Sequence, residues 1–327
     1  MSRLVIIGAA AALIAAAPAQ SAVQPAALAP QVDPDGGSYL RAEDYRVARI
    51  VHRLGIAGRA LCQERIALPG LLYHHLAEYA PADRTAAIAQ YRLDRGMGVL
   101  AVMPESAAAA AGIRAGDLIV AINGAAVADP ATIAAHGRRE EWRPLVEQSE
   151  NAVEAALQSG PARLTLLRGG QRLGVTLEST MGCPARSRLA RSSQSNAFAD
   201  GRYAIMTTGF LDFFRDDGEL AVAMAHELAH NILRHPAELD EQGVPSGMMR
   251  HVGRNARLVR ATEVEADRLA VRLLAAAGYD PEIAIPFWRR LYGRLQMRLN
   301  VVSAHPGLAA RERLIRETVA ELRGQQP

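Results

Sequence analysis

The five residues HELAH, at positions 226–230, decide the fold and the chemistry that this sequence predicts. Residues four apart lie on the same face of an α-helix, so His226 and His230 can offer two imidazole nitrogens to one tetrahedral zinc ion. Glu227 points about 100° around the same helix, where its carboxylate can reach a water molecule beside the metal. The pentapeptide therefore predicts most of a hydrolytic zinc site.

The residues around HELAH favour a helix. Asp216 and Asp217 stand where an N-cap belongs, and apolar residues suited to a packed helix follow: Leu220, Val222, Met224, Leu228 and Leu233. The chain has nine histidines, so a pair at this spacing can also arise by chance. A buried helix with two hydrogen-bonded histidines is the alternative interpretation of the pentapeptide alone.

A second motif lies at 261–279, where ATEVEADRLAVRLLAAAGY predicts a helix ended by Gly278. A hydrolytic zinc site has three protein ligands and one open position, and Glu263 is predicted to be the third ligand. Asp267, one turn further, is placed to hydrogen-bond a ligating imidazole and fix its tautomer. Glu265 points elsewhere and is predicted to be a solvated surface charge. The alternative is that these acidic residues only favour the helix dipole.

Together these motifs resemble the gluzincin metallopeptidases of the CAAX prenyl protease and HtpX type, and their soluble periplasmic branch in particular. The resemblance covers about 185–320 and also rests on NAFA at 196–199 and TTGFL at 207–211. It implies a mainly helical zincin-type core with a small sheet, one Zn²⁺ per chain, and Glu227 as the general base. It also implies an edge strand above the zinc, to which a substrate backbone adds as an extra strand: Tyr203, Ala204, Ile205, Met206, Thr207 and Thr208.

His305-Pro306 resembles a late His-Pro motif of the same family, followed by Arg311, with Arg313 as the competing arginine. The resemblance implies that His305 lies near the active site, where it would stabilise the oxyanion or occupy the fourth zinc position at rest. A His-Pro turn before a C-terminal helix is the alternative. His235 is predicted to lie at a helix end near the site and not to bind the metal.

The first 22 residues have the pattern of an export signal, with Arg3, an apolar run over 4–17 and small residues after it. A run of this length is too short to span a membrane comfortably, and no lipobox cysteine follows it. We therefore expect a periplasmic or otherwise exported protein without an integral membrane segment after signal cleavage. Residues 23–37 are predicted to be a disordered leader.

The chain has two cysteines, Cys62 and Cys183. An exported protein is where such a pair can persist as a disulfide. Neither cysteine has a CxxC or CxxH neighbour, so a metal role is not predicted for them. Two free buried thiols are the alternative.

Residues 38–92 are predicted to be helices that pack on the metallopeptidase core, since Val47, Ile50, Val51 and Leu54 lie at helical spacing. The pattern then changes to strands.

Residues 93–180 closely resemble a bacterial PDZ domain. GIRAGDLIVAING at 112–124 predicts a turn, a buried strand and a hairpin at Asn123-Gly124, and a second hairpin turns at Gly169-Gly170. The long helical pattern over 137–158 departs from that family.

The PDZ resemblance implies a loop that holds a peptide C-terminus at Gly96, Met97, Gly98 and Val99. Glycines let successive N–H groups converge on a carboxylate, and the adjacent strand edge pairs with the peptide. Because of the long helix, the alternative is that the domain binds no free C-terminus and packs on the metallopeptidase core.

The composition fits a chain with two compact domains and excludes one class of partner. All 37 basic residues are arginine, yet the net charge is only +3. These charges are spread along the chain without a basic stripe, so we expect no nucleic-acid binding.

The motifs predict an α+β chain with a β-rich PDZ domain inserted before a metallopeptidase core at 181–327. Its expected function is zinc-dependent hydrolysis of peptide bonds in unfolded or misassembled cell-envelope proteins. The alternative is a non-proteolytic PDZ-bearing chaperone or assembly factor with a structural zinc site. Glu227 argues against that alternative, because a structural site needs no base.

Overall fold

A computed structural model describes residues 38–245, 249, 252–296 and 305–324. The predicted signal segment 1–22 and leader 23–37 lie outside the described residues. Within them, no helix is long and apolar enough to cross a membrane.

The described chain folds into a helical unit and a β-rich unit, which confirms the α+β class. The helices, in chain order, are α1 (Ser38–Ala57), α2 (Arg84–Tyr91), α3 (Ala107–Ala110), α4 (Pro130–Ala134), α5 (Arg139–Gln158), α6 (Asp217–Ile232), α7 (His235–Glu241), α8 (Gly253–Ala276), α9 (Ala284–Gln296) and α10 (Leu308–Gly324). The strands are β1 (Ile66–Ala67), β2 (Leu71–His74), β3 (Met97–Val102), β4 (Leu118–Ile122), β5 (Ala125–Ala126), β6 (Ala162–Arg168), β7 (Gln171–Leu177), β8 (Met181–Gly182), β9 (Arg186–Ala190), β10 (Ala197–Ala199) and β11 (Tyr203–Thr207).

The β-rich unit is an antiparallel sheet in the order β2-β3-β4-β6-β7, with β5 paired to β4. Both predicted hairpins are present. Asn123 and Gly124 have φ values of 50° and 85°, and Gly169 and Gly170 have φ values of 56° and 87°. Turns with two positive φ values match the right-handed twist of the strands that they join.

The helical unit is built around α6 and α8, which pack against each other, with α1 and α10 against their outer faces. A small sheet in the order β10-β11-β9 lies beside them. Strand β11 is parallel to β9 and antiparallel to β10. The core contains many alanines, and its large members include Phe287, Ile50 and Leu54, each fully buried.

The prediction that 38–92 forms helices on the metallopeptidase core has to be corrected. Helix α1 and the short turn after it pack there, whereas β2 pairs with β3 and extends the sheet of the β-rich unit. Tyr79 and Tyr91 are buried with Leu118 and Val146 of the same unit. After Gly70, where φ is +76°, the apolar residues belong first to a strand and then to short helices. The spacing of apolar residues alone does not show where the strand begins.

The predicted disulfide between Cys62 and Cys183 is confirmed, with the two Cα atoms 5.6 Å apart and a sequence separation of 121. Cys62 follows α1, where the chain leaves the helical unit, and Cys183 lies just before β9, where it returns. The bond therefore ties the two ends of the β-rich insertion together.

The close approach of β2 to β3 depends on Gly98. A Cβ added there would lie 2.3 Å from the His74 ring, whereas one added at Gly174 in β7 would meet nothing within 4 Å. We therefore expect Gly98→Ala to destabilise the protein by about 1–3 kcal/mol through overpacking. Gly174→Ala is the matched control and should change stability by less than about 1 kcal/mol.

Urea unfolding of the two variants, followed by circular dichroism, checks this prediction. Equal midpoints for Gly98→Ala and the native chain would contradict the pairing of β2 with β3.

Candidate metal centre

Helix α6 places the HELAH residues at the centre of the helical unit. Its N-cap is Asp216, whose Oδ1 accepts a hydrogen bond from the backbone N–H of Glu219 at 2.9 Å. This confirms the predicted cap, and it fixes where the helix begins. The side chains of His226 and His230 are 7% and 11% exposed and point toward α8.

Three donor atoms converge as the sequence predicts. His226 Nε2 and His230 Nε2 are 3.2 Å apart, with Glu263 Oε2 at 3.4 Å from the first and Glu263 Oε1 at 3.4 Å from the second. Ligands that bind a tetrahedral zinc at about 2.0–2.1 Å are separated from each other by roughly 3.3–3.4 Å. The three side chains, which form the candidate metal group of the described residues, therefore fit zinc with one position left open.

Asp267 fixes the orientation of one ligand. Its Oδ1 lies 3.0 Å from His226 Nδ1, on the side of the ring opposite to Nε2. A carboxylate at Nδ1 favours the tautomer that carries its proton there and leaves Nε2 unprotonated for a metal. This is the position that the sequence predicts for Asp267.

Arg311 holds two of the three acidic residues of α8, Asp267 and Glu263. Its Nε donates to Asp267 Oδ2 at 2.6 Å, and its Nη2 donates to Glu263 Oε2 at 3.1 Å. The sequence left Arg311 and Arg313 as competitors, and the structure selects Arg311, which is only 2% exposed.

Trp288 was missed by sequence reasoning, because a tryptophan on an apolar helix face gives no signal of a site. Its ring centroid is 3.9 Å from the Arg311 guanidinium carbon and 5.4 Å from the His226 ring. The indole therefore packs against both the Arg311 guanidinium and the His226 imidazole.

The electrostatics of Glu263 and Glu227 differ. Burial raises the pKa of Glu263, but its contacts with His226, His230 and His305 outweigh burial and hold that pKa well below its usual range. For Glu227, burial is the largest cause and raises the pKa to about 7, with a further increase from the neighbouring Glu263 charge. Glu263 is thus held as an anion, while Glu227 lies in surroundings that disfavour its charge.

His305 lies beside the three donor atoms. Its Nδ1 is 2.7 Å from Glu263 Oε2, and its side chain is half exposed. The structure therefore brings His305 to the site, as the family resemblance implies.

His235 begins α7 outside the donor triangle. Its Nδ1 is 3.0 Å from His230 Nδ1, and its Nε2 is 3.3 Å from Glu265 Oε2. The side chain of Glu265 is 62% exposed, as the sequence predicts for a surface charge. Sequence reasoning placed His235 near the site but missed its contact with a ligand.

The predicted substrate-binding edge strand has to be corrected. The segment Tyr203–Thr207 is β11, which is the central strand of its sheet and is buried at every residue. Both of its edges are paired, so no substrate backbone can add to it. The free edge that packs beside α6 belongs to β10, within the NAFA motif. Strand order depends on long-range pairing, and the local pattern does not show it.

The predicted carboxylate-binding loop at Gly96, Met97, Gly98 and Val99 is wrong. Met97 and Gly98 pair with β4, while Gly98 and Val99 pair with β2. The Val99 N–H donates to the Asp117 carbonyl at 2.8 Å. These amides stabilise the sheet and cannot converge on a carboxylate, and Gly98 serves the close approach of the His74 ring.

Comparison with known proteins gives two family matches. Residues 172–255 and 246–319 match peptidase family M48, and residues 98–153 match the PDZ domain family. Mitochondrial metalloendopeptidase OMA1 of Schizosaccharomyces pombe is 29% identical over 153 residues, which cover 40% of this chain and 45% of that protein. The OMA1 protein of Arabidopsis thaliana is 30% identical over 129 residues, covering 34% and 26% respectively. The chain thus spans less than half the length of each of these relatives.

Two solved structures are similar to about a third of this chain. One is the crystal structure of the HtrA3 PDZ domain bound to a phage-derived ligand, with a TM-score of 0.25 and 21% identity over 36% of this chain and 89% of that chain. The other is the HtrA-type protease AlgW with a decapeptide, with a TM-score of 0.24 and 20% identity over 36% of this chain and 30% of that chain. At such scores, neither structure defines the groove or the ligand of this chain.

Removing the charge of Asp267 should weaken zinc binding while leaving the three ligands in place. We expect Asp267→Asn to lower zinc affinity by about 10- to 100-fold, because His226 loses the carboxylate that fixes its tautomer. Glu317→Gln, an exposed acidic residue of α10, is the control and should bind zinc as the native chain does. Competition with a chromophoric chelator measures both affinities, and native affinity in Asp267→Asn would contradict the orienting role.

Proposed function

We propose that this chain, in which residues 172–319 form a domain of peptidase family M48 and residues 98–153 a PDZ domain, is a zinc-dependent endopeptidase. One observation carries the proposal: three buried donor atoms are spaced for a tetrahedral zinc, and a glutamate follows the first of them. A structural zinc site has a closed set of four ligands, whereas three donors beside a carboxylate suit hydrolysis. A non-proteolytic protein with a structural zinc site would not need Glu227 as a general base.

The three ligands would be His226, His230 and Glu263, and zinc held there would polarise a scissile carbonyl and lower the pKa of a water molecule. Glu227 then takes the proton of the attacking water and delivers it to the leaving amine. His305 is placed to donate a hydrogen bond to the developing oxyanion. Asp267 and Arg311 keep the ligands in position and do not touch the substrate.

The substrate backbone would add to the free edge of β10. An added strand requires an extended chain, so the scissile segment must be unfolded or lie in a loop. Phe198, at the centre of β10, is 40% exposed and offers an apolar contact beside that edge. We infer that the substrates are unfolded or misassembled polypeptides.

An exported, periplasmic location supports cell-envelope proteins as these substrates. The inference rests on the signal-like segment 1–22 and on the disulfide between Cys62 and Cys183, since such bonds persist in oxidising compartments. The PDZ domain would bind substrate or partner polypeptides for the metal centre of the helical unit.

Glu227→Gln tests the proposed chemistry. The substitution keeps the size of the side chain and removes the base, so we expect about 100-fold or greater loss of casein hydrolysis with one zinc still bound. Glu317→Gln, exposed on α10, serves as the control, with native hydrolysis. Zinc content by atomic emission and hydrolysis by release of labelled fragments are measured on the same samples. Full hydrolysis by Glu227→Gln would overturn the mechanism.

A further inference from the structure

A cavity of about 380 Å³ separates the β-rich unit from the helical unit. Two continuous stretches of backbone line it, residues 68–73 from the first unit and 185–191 from the second. These stretches include β2 and β9. Its volume lies within the range of about 300–1,000 Å³ that is usual for binding sites.

Strand β2 presents an unpaired edge to this cavity. It is the first strand in the order β2-β3-β4-β6-β7, so only one of its edges is paired. The Met103 N–H donates to the Gly70 carbonyl, and the groups of an antiparallel strand alternate between its two sides. The next residue, Leu71, therefore directs its N–H and C=O away from β3.

Tyr73 lies just after a β-bulge between Leu72 and Tyr73, and its backbone N–H and C=O also point away from β3. Tyr73 is opposite Val99. The Val99 N–H donates to the Asp117 carbonyl, and the Val99 carbonyl accepts from the Gly116 N–H, so both groups of Val99 point away from β2. Tyr73 therefore also turns its backbone groups outward. Among the described residues, no hydrogen bond to the outward groups of Leu71 or Tyr73 is found.

Strand β9 presents the opposite wall. It is the last strand in the order β10-β11-β9 and pairs with β11 on one side only. Alternate residues of such an edge strand carry backbone donors and acceptors without a ladder partner. Two strand edges, one from each unit, therefore face the same space without pairing.

Helices close the two remaining sides. Ala48 and His52 of α1 line one side, and Trp142, Arg143 and Glu150 of α5 line the other. A strand inserted between β2 and β9 would be covered on both faces by helices. We call this space the inter-unit slot, bounded by β2, β9, α1 and α5.

Ion pairs at the slot hold its walls in place. Arg186 pairs with Glu154, and Arg188 pairs with Glu78 and Glu150. Tyr203 Oη donates to Glu150 Oε2 at 2.7 Å. All five charged groups belong to ion pairs between the two units, which position β9 against α5 and leave a gap between β9 and β2.

We propose that the inter-unit slot binds an extended polypeptide segment as an added strand between β2 and β9, at a distance from the metal centre. The unpaired backbone N–H and C=O groups on both walls can form hydrogen bonds with a second extended backbone, and no other common ligand carries such a row of donors and acceptors. Binding of a polypeptide in the slot does not depend on the proposed peptidase activity. The role of the slot in substrate capture does rest on that proposed activity.

The slot and the free edge of β10 lie on opposite sides of one small sheet. A strand in the slot and a substrate strand on β10 are four strand spacings apart, about 19 Å. An extended chain needs at least about six residues to cover that distance. Long polypeptides can therefore occupy both places at once, whereas a six-residue peptide can occupy only one.

Hydrogen exchange tests the binding without any catalysis. The probe is reduced, carboxymethylated lactalbumin, an unfolded chain, added in excess to the Glu227→Gln protein. We expect amide exchange to slow at least tenfold in both 68–75 and 185–191. Bound probe, seen by fluorescence anisotropy, without slowing in either segment would overturn the proposal.

A blocking variant tests the location. Ser187 in β9 lines the slot, and Ser187→Trp should fill it and abolish the slowing in both segments. Ser159→Trp is the matched control, because Ser159 is exposed at the end of α5 and outside the cavity. Ala48→Trp blocks the slot from α1 and serves as a second variant should Ser187→Trp lose its zinc or its native unfolding temperature.

Kinetics connect the slot to hydrolysis. With Glu227 intact, Ser187→Trp should lower kcat/KM for the lactalbumin probe at least tenfold more than for a six-residue fluorogenic peptide, while Ser159→Trp shows no such difference. Equal losses on both substrates would contradict substrate capture at the slot. Absence of hydrolysis by the native chain would instead overturn the proposed function, and the exchange result would still decide whether the slot binds.

Discussion

The metal centre depends on one buried carboxylate, that of Asp267, held between His226 on one side and Arg311 on the other. Three helices meet there, because α6 supplies the imidazole, α8 the carboxylate and α10 the guanidinium. Breaking a buried, hydrogen-bonded charge pair typically costs about 3–5 kcal/mol, so this contact supports both the fold and the orientation of the ligands. Arg311 also donates a hydrogen bond to Glu263, so the same guanidinium contacts both Asp267 and the third candidate ligand.

The β-rich unit is positioned on this helical core by a covalent bond and by charges. The disulfide joins the point where the chain leaves the helical unit to the point where it returns. Arg186 and Arg188 of β9 then meet glutamates of α5 and of the turn after β2. The two units thus have a fixed relation, yet the strand edges of β2 and β9 remain apart with a cavity between them.

The local pattern of the sequence was enough for much of the site. Residues four apart on a helix share a face, so the spacing alone predicts that His226 lies beside His230 and that Glu263 lies beside Asp267. Pairing between distant segments is different, since it is decided by the packing of whole units. The family resemblances therefore assign the substrate edge to β11, although β11 is central, and Gly98 to a carboxylate-binding loop, although its small size admits the His74 ring. The sequence likewise had no means to separate Arg311 from Arg313 or to find Trp288.

The central claim is that His226, His230 and Glu263 bind one zinc and leave a position open for chemistry. Anomalous diffraction at the zinc absorption edge, on crystals of the zinc-loaded protein, tests it most directly. The account predicts one peak per chain, about 2.0–2.1 Å from two imidazole nitrogens and one Glu263 oxygen, with no fourth protein ligand. A peak elsewhere in the chain, or a fourth side chain that completes a closed tetrahedron, would contradict it.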